Sequence, residues 1–156
     1  MPTARRSRRI HTPLEDLWAL VCDPHHLPRW WPRVERVEDV DEDAFTEVMR
    51  TRKGKLVRAD YNVVMRNDTQ HTLTWAQRLE GSPFAQVLSS AETQLWLTDA
   101  AGGSEVTIEL RQSMVGYSDR GGLFMGMAPR LGGVMVRKAA AATLEQALDG
   151  LERVGG

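Results

Sequence analysis

The chain has 156 residues with 20 basic and 21 acidic side chains, a formal net charge of −1. That length fits one domain, residues 1–156, and can bury a core without covalent staples. The near-neutral balance offers no broad pull toward nucleic acid or anionic membrane, the single cysteine, Cys22, excludes an intrachain disulfide, and no apolar run approaches the ~20 residues of a membrane span.

The basic opening, "MPTARRSRRIHT", is not followed by the apolar stretch of a secretory leader, so a cytoplasmic protein is expected. Within it, period two places Arg6 and Arg8 on the same face as Ile10. If Ile10 faces inward, Arg8 stands at the edge of the interior, where it could hold a ligand carboxylate bidentately. The arginines of "RRSRR" have no interleaved aromatic residues, unlike a single-strand nucleic-acid binder, and read as a solvated strand.

Thr12-Pro13 reads as an N-cap followed by proline at the first helical position, with Glu15 and Asp16 in the first turn. Leu14, Leu17, Trp18 and Val21 recur at helical spacing and predict a short helix that stops near Asp23-Pro24. "CDPHH" gathers Cys22, Asp23, His25 and His26, but lacks the paired spacing of a structural zinc site, so Asp23 is expected to cap the next helix and no metal is predicted. "HHLPRWWP" allows one more short helix. Neighbouring helical residues point about 100° apart, so one indole should face inward, Trp31 by preference. Trp30 should then pack near Trp18 or lie half exposed.

The period then becomes two. "VERVEDV" and "AFTEVMRTRK" predict strands, with a hairpin turn at Lys53-Gly54-Lys55. Over Leu56–Arg66, Val57, Ala59, Tyr61, Val63 and Met65 share one face, with Val64 an exception on the other. "RNDTQ" is turn chemistry. Leu73, Trp75, Gln77 and Leu79 share a face of the next strand. "GSPF" breaks the chain, a strand runs to about Thr98, and "DAAGGS" turns it. The last strand alternates cleanly: Val106, Ile108, Leu110, Gln112 and Met114 against charged and polar neighbours. From about Gly122 the period returns to 3.6, and Met127, Leu131, Val134, Met135, Ala141, Leu144, Leu148 and Leu151 form the stripe of a long helix. Pro129 would either start or kink it. The preceding "GYSDRGGLFMG" matches no nucleotide-binding glycine motif. It reads as a strand-to-helix connection capped by Ser118 or Asp119, or as a portal loop. An antiparallel sheet with one apolar face must cover it, and only the long helix is large enough.

This order of elements, together with "TPLEDLWALVCDPHHLPRWWPRVERV", resembles the START/polyketide-cyclase (SRPBCC) superfamily. Thr12-Pro13, Leu17-Trp18, Asp23, Leu27-Pro28, the Trp pair, Pro32 and Val34 stand at matching positions. So do "GGSEVTIEL" and the final helix. The resemblance implies an α+β helix-grip fold: a bent antiparallel sheet of about six or seven strands wrapped around the C-terminal helix, with two short helices after the first strand. It also implies an apolar cavity between sheet and helix. The candidate lining is Trp31, Tyr61, Val63, Met65, Trp75, Gln77, Leu95, Leu97, Ile108, Leu110, Gln112, Met114, Met127, Leu131 and Met135. Their side chains either pack on one another as plain core or leave a binding site.

The expected function is binding of a hydrophobic small molecule, lipid-, polyketide- or isoprenoid-like, with no cofactor, by a monomer or homodimer. Two alternatives stand beside it. One is a polyketide aromatase/cyclase-type enzyme, for which Tyr61 is the catalytic candidate. The positions matching the polar pair of that branch are the apolar Val63 and Met65, and Arg66, one residue on, is expected to face outward. The other is a protein-interaction module, which requires an exposed apolar patch.

Overall fold

The computed structural model describes residues 3–51, 53–115 and 129–155, with only the backbone path for 129–136. Strand β1 (Thr3–Ile10) leads to helix α1 (Leu14–Cys22), a single 3-10 turn (Pro24–His26) and the four-residue helix α2 (Leu27–Trp30). Six strands follow: β2 (Val34–Glu38), β3 (Ala44–Arg50), β4 (Leu56–Asn67), β5 (Thr72–Arg78), β6 (Leu88–Ala100) and β7 (Gly103–Met114). Helix α3 (Pro129–Gly155) closes the chain. The strands form one antiparallel sheet in the order β1-β7-β6-β5-β4-β3-β2. This is the helix-grip arrangement that the periodicity and the resemblance predict.

Local chemistry sets the connections. Gly54 adopts φ +82° in the β3–β4 hairpin, which backbone bonds from Thr51 to Lys55 and from Gly54 to Thr51 close; a residue without Cβ enters that region at no steric cost. Asp23 caps the turn before α2, accepting from the His25 backbone N–H at 3.0 Å. At α1 the expected cap does not form. Pro13 occupies the N-cap position with no side-chain bond, and Thr12 Oγ1 is buried without a partner among the described residues.

Pairing register sorts the side chains. Leu73, Leu95 and Ile108 stand opposite one another across β5, β6 and β7, and Leu97 stands opposite Val106. Leu95, Leu97, Val106 and Ile108 are almost wholly excluded from water. Against them pack Leu17 and Val21 of α1, Leu27 and Trp30 of α2, and Leu144, Leu148 and Leu151 of α3. Each such side chain contributes roughly 1.5–3 kcal/mol of transfer free energy. Helix α3 rests mainly on β1, α2 and β7. At Gly150 the helix meets the backbone of Trp30 so closely that a Cβ would collide with the Trp30 carbonyl oxygen.

Two expectations change here. First, β4 carries a bulge between Val63 and Met65: Val63 pairs with Trp75, but Met65 pairs with Thr74 and Arg66 with Leu73. One extra residue reverses the alternation beyond it. Met65 therefore joins the Thr72–Thr74 side of the sheet, where the Thr72 hydroxyl lies 3.4 Å from its sulfur. Arg66 moves to the Leu73 side instead of facing outward, with its guanidinium over the Trp18 ring. Second, Arg8 does turn toward the helix, but it is not free for a ligand. Its guanidinium donates to Glu145 at 3.0 Å, to Glu152 at 2.7 Å and to Asp149, all on α3. The Asp149 bond leads the effects that raise its pKa.

Candidate functional site

Helix α2 ends at Trp30, and Trp31 is already extended, with φ −84° and ψ 132°. The helical rule of 100° between neighbours therefore does not apply to this pair. Both indoles are buried, at 2 % and 8 % exposure, so Trp30 is not half exposed; it shares one buried cluster with Trp18. Trp30 lies edge-on to Trp31 at 5.4 Å, and its Nε1 is buried without a partner among the described residues. Trp18 instead packs edge-on to His71 and donates to Asp68 at 3.0 Å.

From Trp31 an aromatic chain crosses the concave face. Trp31 meets Trp75 edge-on at 5.9 Å, and Trp75 meets Phe45 edge-on at 5.9 Å. Phe45 stacks on Tyr61 at 5.3 Å. Phe45 and Tyr61 are cross-strand partners, as are Tyr61 and Gln77. Edge-to-face and offset contacts of this kind add about 0.5–1.5 kcal/mol each beyond area burial, so this wall is stiff.

Beside it lies a cavity of about 170 Å³ between sheet and helix. Met49 of β3, Tyr61 of β4 and Gln77 of β5 form one side; Ala91 and Thr93 of β6 with Leu110 and Gln112 of β7 form the floor. Phe84 of the β5–β6 connection and Leu88 at the start of β6 close it on one side, Trp31 from the α2 end, and Thr143 from α3. A second depression of about 330 Å³ shares Trp31, Met49 and Thr143 and runs along Ala139 and Ala142 of the helix. Small helix residues leave this space open where leucines fill it further along.

The structure brings Trp31, Tyr61, Gln77, Leu110 and Gln112 to the cavity. Trp75 stands behind Trp31, buried. Leu95, Leu97 and Ile108 lie in the closed core instead of the cavity wall, because α1 and α3 cover that end of the face. Met65 is on the opposite side of the sheet, displaced by the bulge. Val63 and Met114 are half-buried and do not line the cavity. Met127 lies outside the described residues, as do Ser118, Asp119 and the side chains of Leu131 and Met135.

One buried ionisable residue near the cavity, outside its lining, escapes the sequence reading. Glu47, only 1 % exposed, points its Oε1 into the interior with no hydrogen-bond partner among the described residues. Its cross-strand neighbours are Val37 and Ala59, and Phe45 and Met49 share its face of β3. Burial in that apolar setting pushes its carboxyl pKa up to about 8. The adjacent Tyr61 phenol is raised well above its usual value, first by burial and then by the Glu47 charge. Gln77 Nε2 is also buried without a partner among the described residues. The signal in the sequence was the alternation Phe45, Glu47, Met49, which puts a carboxylate on an apolar face.

Among the described residues, no group of three or more His, Cys, Asp or Glu is placed to hold a metal ion. Burial pushes the Cys22 thiol up to about 12, which favours the protonated form over the thiolate. No described helix is long and apolar enough to cross a membrane.

The profile of a family described as polyketide cyclase/dehydrase and lipid transport matches residues 1–156. Among solved structures, a START superfamily protein from Mycobacterium smegmatis superposes with a TM-score of 0.75 at 13% identity, covering 98% of this chain and 96% of that one. A protein from Thermus thermophilus gives 0.71 at 21% identity, covering 97% and 95%. The Zhui aromatase/cyclase from a Streptomyces species gives 0.76 at 11% identity, covering 98% and 92%. No curated protein sequence matches the chain significantly.

Proposed function

The chain belongs to the polyketide cyclase/dehydrase and lipid-transport family, and from that premise we propose that it binds a hydrophobic small molecule in the cavity bounded by Trp31, Met49, Tyr61, Gln77, Leu110 and Gln112. The observation that carries this reading is the open space itself. The sheet and helix pack tightly at the Leu95 end, yet at the Tyr61 end a cavity persists with Thr143 on its helix side, and an adjoining depression runs along Ala139 and Ala142. Apolar burial supplies the affinity, at roughly 25 cal/mol per Å² before association costs. The amides of Gln77 and Gln112 supply orientation.

Native mass spectrometry of protein purified from cells tests this. A bound apolar adduct that Trp31→Ala removes, with modest loss of stability, is the expected result. Trp31→Ala that unfolds the protein while an adduct persists at low temperature would make the indole a seal and not a wall. Wild-type protein that stays empty when offered apolar ligands would defeat the reading.

One observation favours a second reading, a cyclase- or dehydratase-type enzyme: the buried Glu47 carboxyl beside Tyr61 can carry a proton at neutral pH. It requires turnover of a ketide substrate that Glu47→Gln abolishes while binding persists. The interaction-module alternative gains nothing comparable. Of the exposed large apolar side chains among the described residues, Leu56 and Val64 stand eight residues apart on β4, and Val87 and Val115 form one small pair joined by a backbone hydrogen bond of 2.9 Å.

A further inference from the structure

We propose that the cleft between α2 and α3 is a second binding site, separate from the apolar cavity, for a small doubly charged oxyanion with the chemistry of a phosphate monoester, held by the guanidinium groups of Arg29, Arg33 and Arg153.

The cleft measures about 340 Å³ and shares only Trp31 with the lining of the cavity. Its position follows from the close approach of α3 to α2. Where Gly150 lets the helix touch the Trp30 backbone, Gln146, Asp149 and Arg153 reach the end of α2. Arg153 there donates to the Arg29 carbonyl oxygen at 3.3 Å. Four charged residues line the cleft: Arg29, Arg33, Asp149 and Arg153. The carboxylate is already engaged, since Asp149 accepts from Arg8. Three cations therefore converge on a concavity whose own carboxylate is bound elsewhere. A guanidinium presents a planar fork of donors that matches phosphate oxygens two at a time. Three of them suit a dianion better than a single carboxylate.

Arg33 is the second observation. It is not glycine, yet it holds φ +67°, in the left-handed region that a glycine enters without strain. Its carbonyl oxygen accepts from the Arg50 backbone N–H at 2.9 Å, which keeps the chain in that conformation. Its guanidinium has no hydrogen bond or ion pair among the described residues. The side chain thus makes no polar contact within the fold that would offset the strained backbone, and strain of this kind gathers where binding requires a particular residue. The third observation is Trp30, which lines the same cleft and whose buried Nε1 has no acceptor among the described residues. The free guanidinium and the unmet indole are both donors. What this junction lacks is an acceptor.

Calorimetric titration with inorganic phosphate and with acetate tests the assignment, at about pH 8, where phosphate is doubly charged. Phosphate should bind about tenfold more tightly than acetate, and its affinity should fall as sodium chloride is added. Arg33→Gly should weaken phosphate about tenfold. Its thermal midpoint should match or exceed the wild type, because the substitution suits the backbone at that position. Arg153→Gln, on a different element, should give a loss of similar size without altering the loop. Arg58→Gln removes the same charge from a guanidinium that pairs with Glu38 and Asp39, and should leave phosphate binding unchanged. Absence of phosphate binding, equal affinity for acetate, or binding that survives both Arg33→Gly and Arg153→Gln overturns the inference. Phosphatidylcholine vesicles containing phosphatidic acid separate a lipid headgroup from a free ligand. The protein should stay in the supernatant; co-sedimentation that Arg33→Gly abolishes, without binding of dissolved phosphate, overturns the assignment to a free ligand.

Discussion

The two ends of the concave face are built from the same strands and the same alternation, yet they differ in what the helix sets against them. At one end, Leu73, Leu95, Leu97 and Ile108 meet Leu144, Leu148 and Leu151, and the space is filled. At the other, Tyr61, Gln77, Leu110 and Gln112 share a cavity with Thr143, Ala139 and Ala142 line the depression next to it, and space remains. Strand periodicity decides which residues face inward. The size of the residue on the opposing helix decides whether that inward face becomes core or cavity.

The largest effect that tests this contrast is on stability. Leu148→Ala, in the filled end, should cost roughly 2–5 kcal/mol. Leu110→Ala, beside space that already exists, should cost less than half as much, because it adds little new surface without contacts. Equal losses in urea unfolding would show that the two ends are not different in kind.

Glu47 sharpens the comparison through pH. Its folded-state pKa, about 8, lies above the ordinary carboxylate value of 4.5. Below about pH 4.5 both states hold the proton and burial costs nothing extra. Between about 4.5 and 8 the unfolded chain releases its proton while the folded chain keeps it, so stability falls as pH rises, by a few kcal/mol in all. Thermal midpoints measured across that window should decline in the wild type and stay flatter in Glu47→Gln. A flat wild-type profile would mean that the carboxyl finds a partner in solution.

The smallest effect belongs to Arg8. Arg8→Gln should cost about 1 kcal/mol, shrinking at high salt, and should leave ligand affinity unchanged because its guanidinium serves the helix. A selective loss of affinity would return Arg8 to the site.

Much of this fold was legible in the chain. Val106, Ile108 and Leu110 alternate without interruption, and Leu144, Leu148 and Leu151 keep a helical stripe, so strand and helix and their apolar sides follow directly. What was not legible came from single-residue events. The bulge at Val64 is invisible to a period-two count, and it carried Met65 off the face and Arg66 onto it. Helix α2 ends between Trp30 and Trp31, so an angular rule for helices could not orient the pair. Glu47 was passed over because β3 is buried on both faces, with Thr46 and Val48 as enclosed as Phe45. No polar side of that strand stood out for the carboxylate to contradict. Arg8 was placed on the correct side, but its three partners lie more than 130 positions away, and no local pattern announces them.

The contact between Gly150 and Trp30 sets the height of the helix. With a Cβ at that point the two backbones could not approach, so the helix can seat only with Gly150 opposite the Trp30 carbonyl. Sliding it by one turn would bring a side chain to that spot and lift the helix off the sheet. The same seat that delivers Leu144, Leu148 and Leu151 to the core puts Thr143 at the cavity. The tryptophan segment is thus a gauge block. Its backbone fixes the axial position of a helix it touches near the far end, and so fixes where the empty space begins.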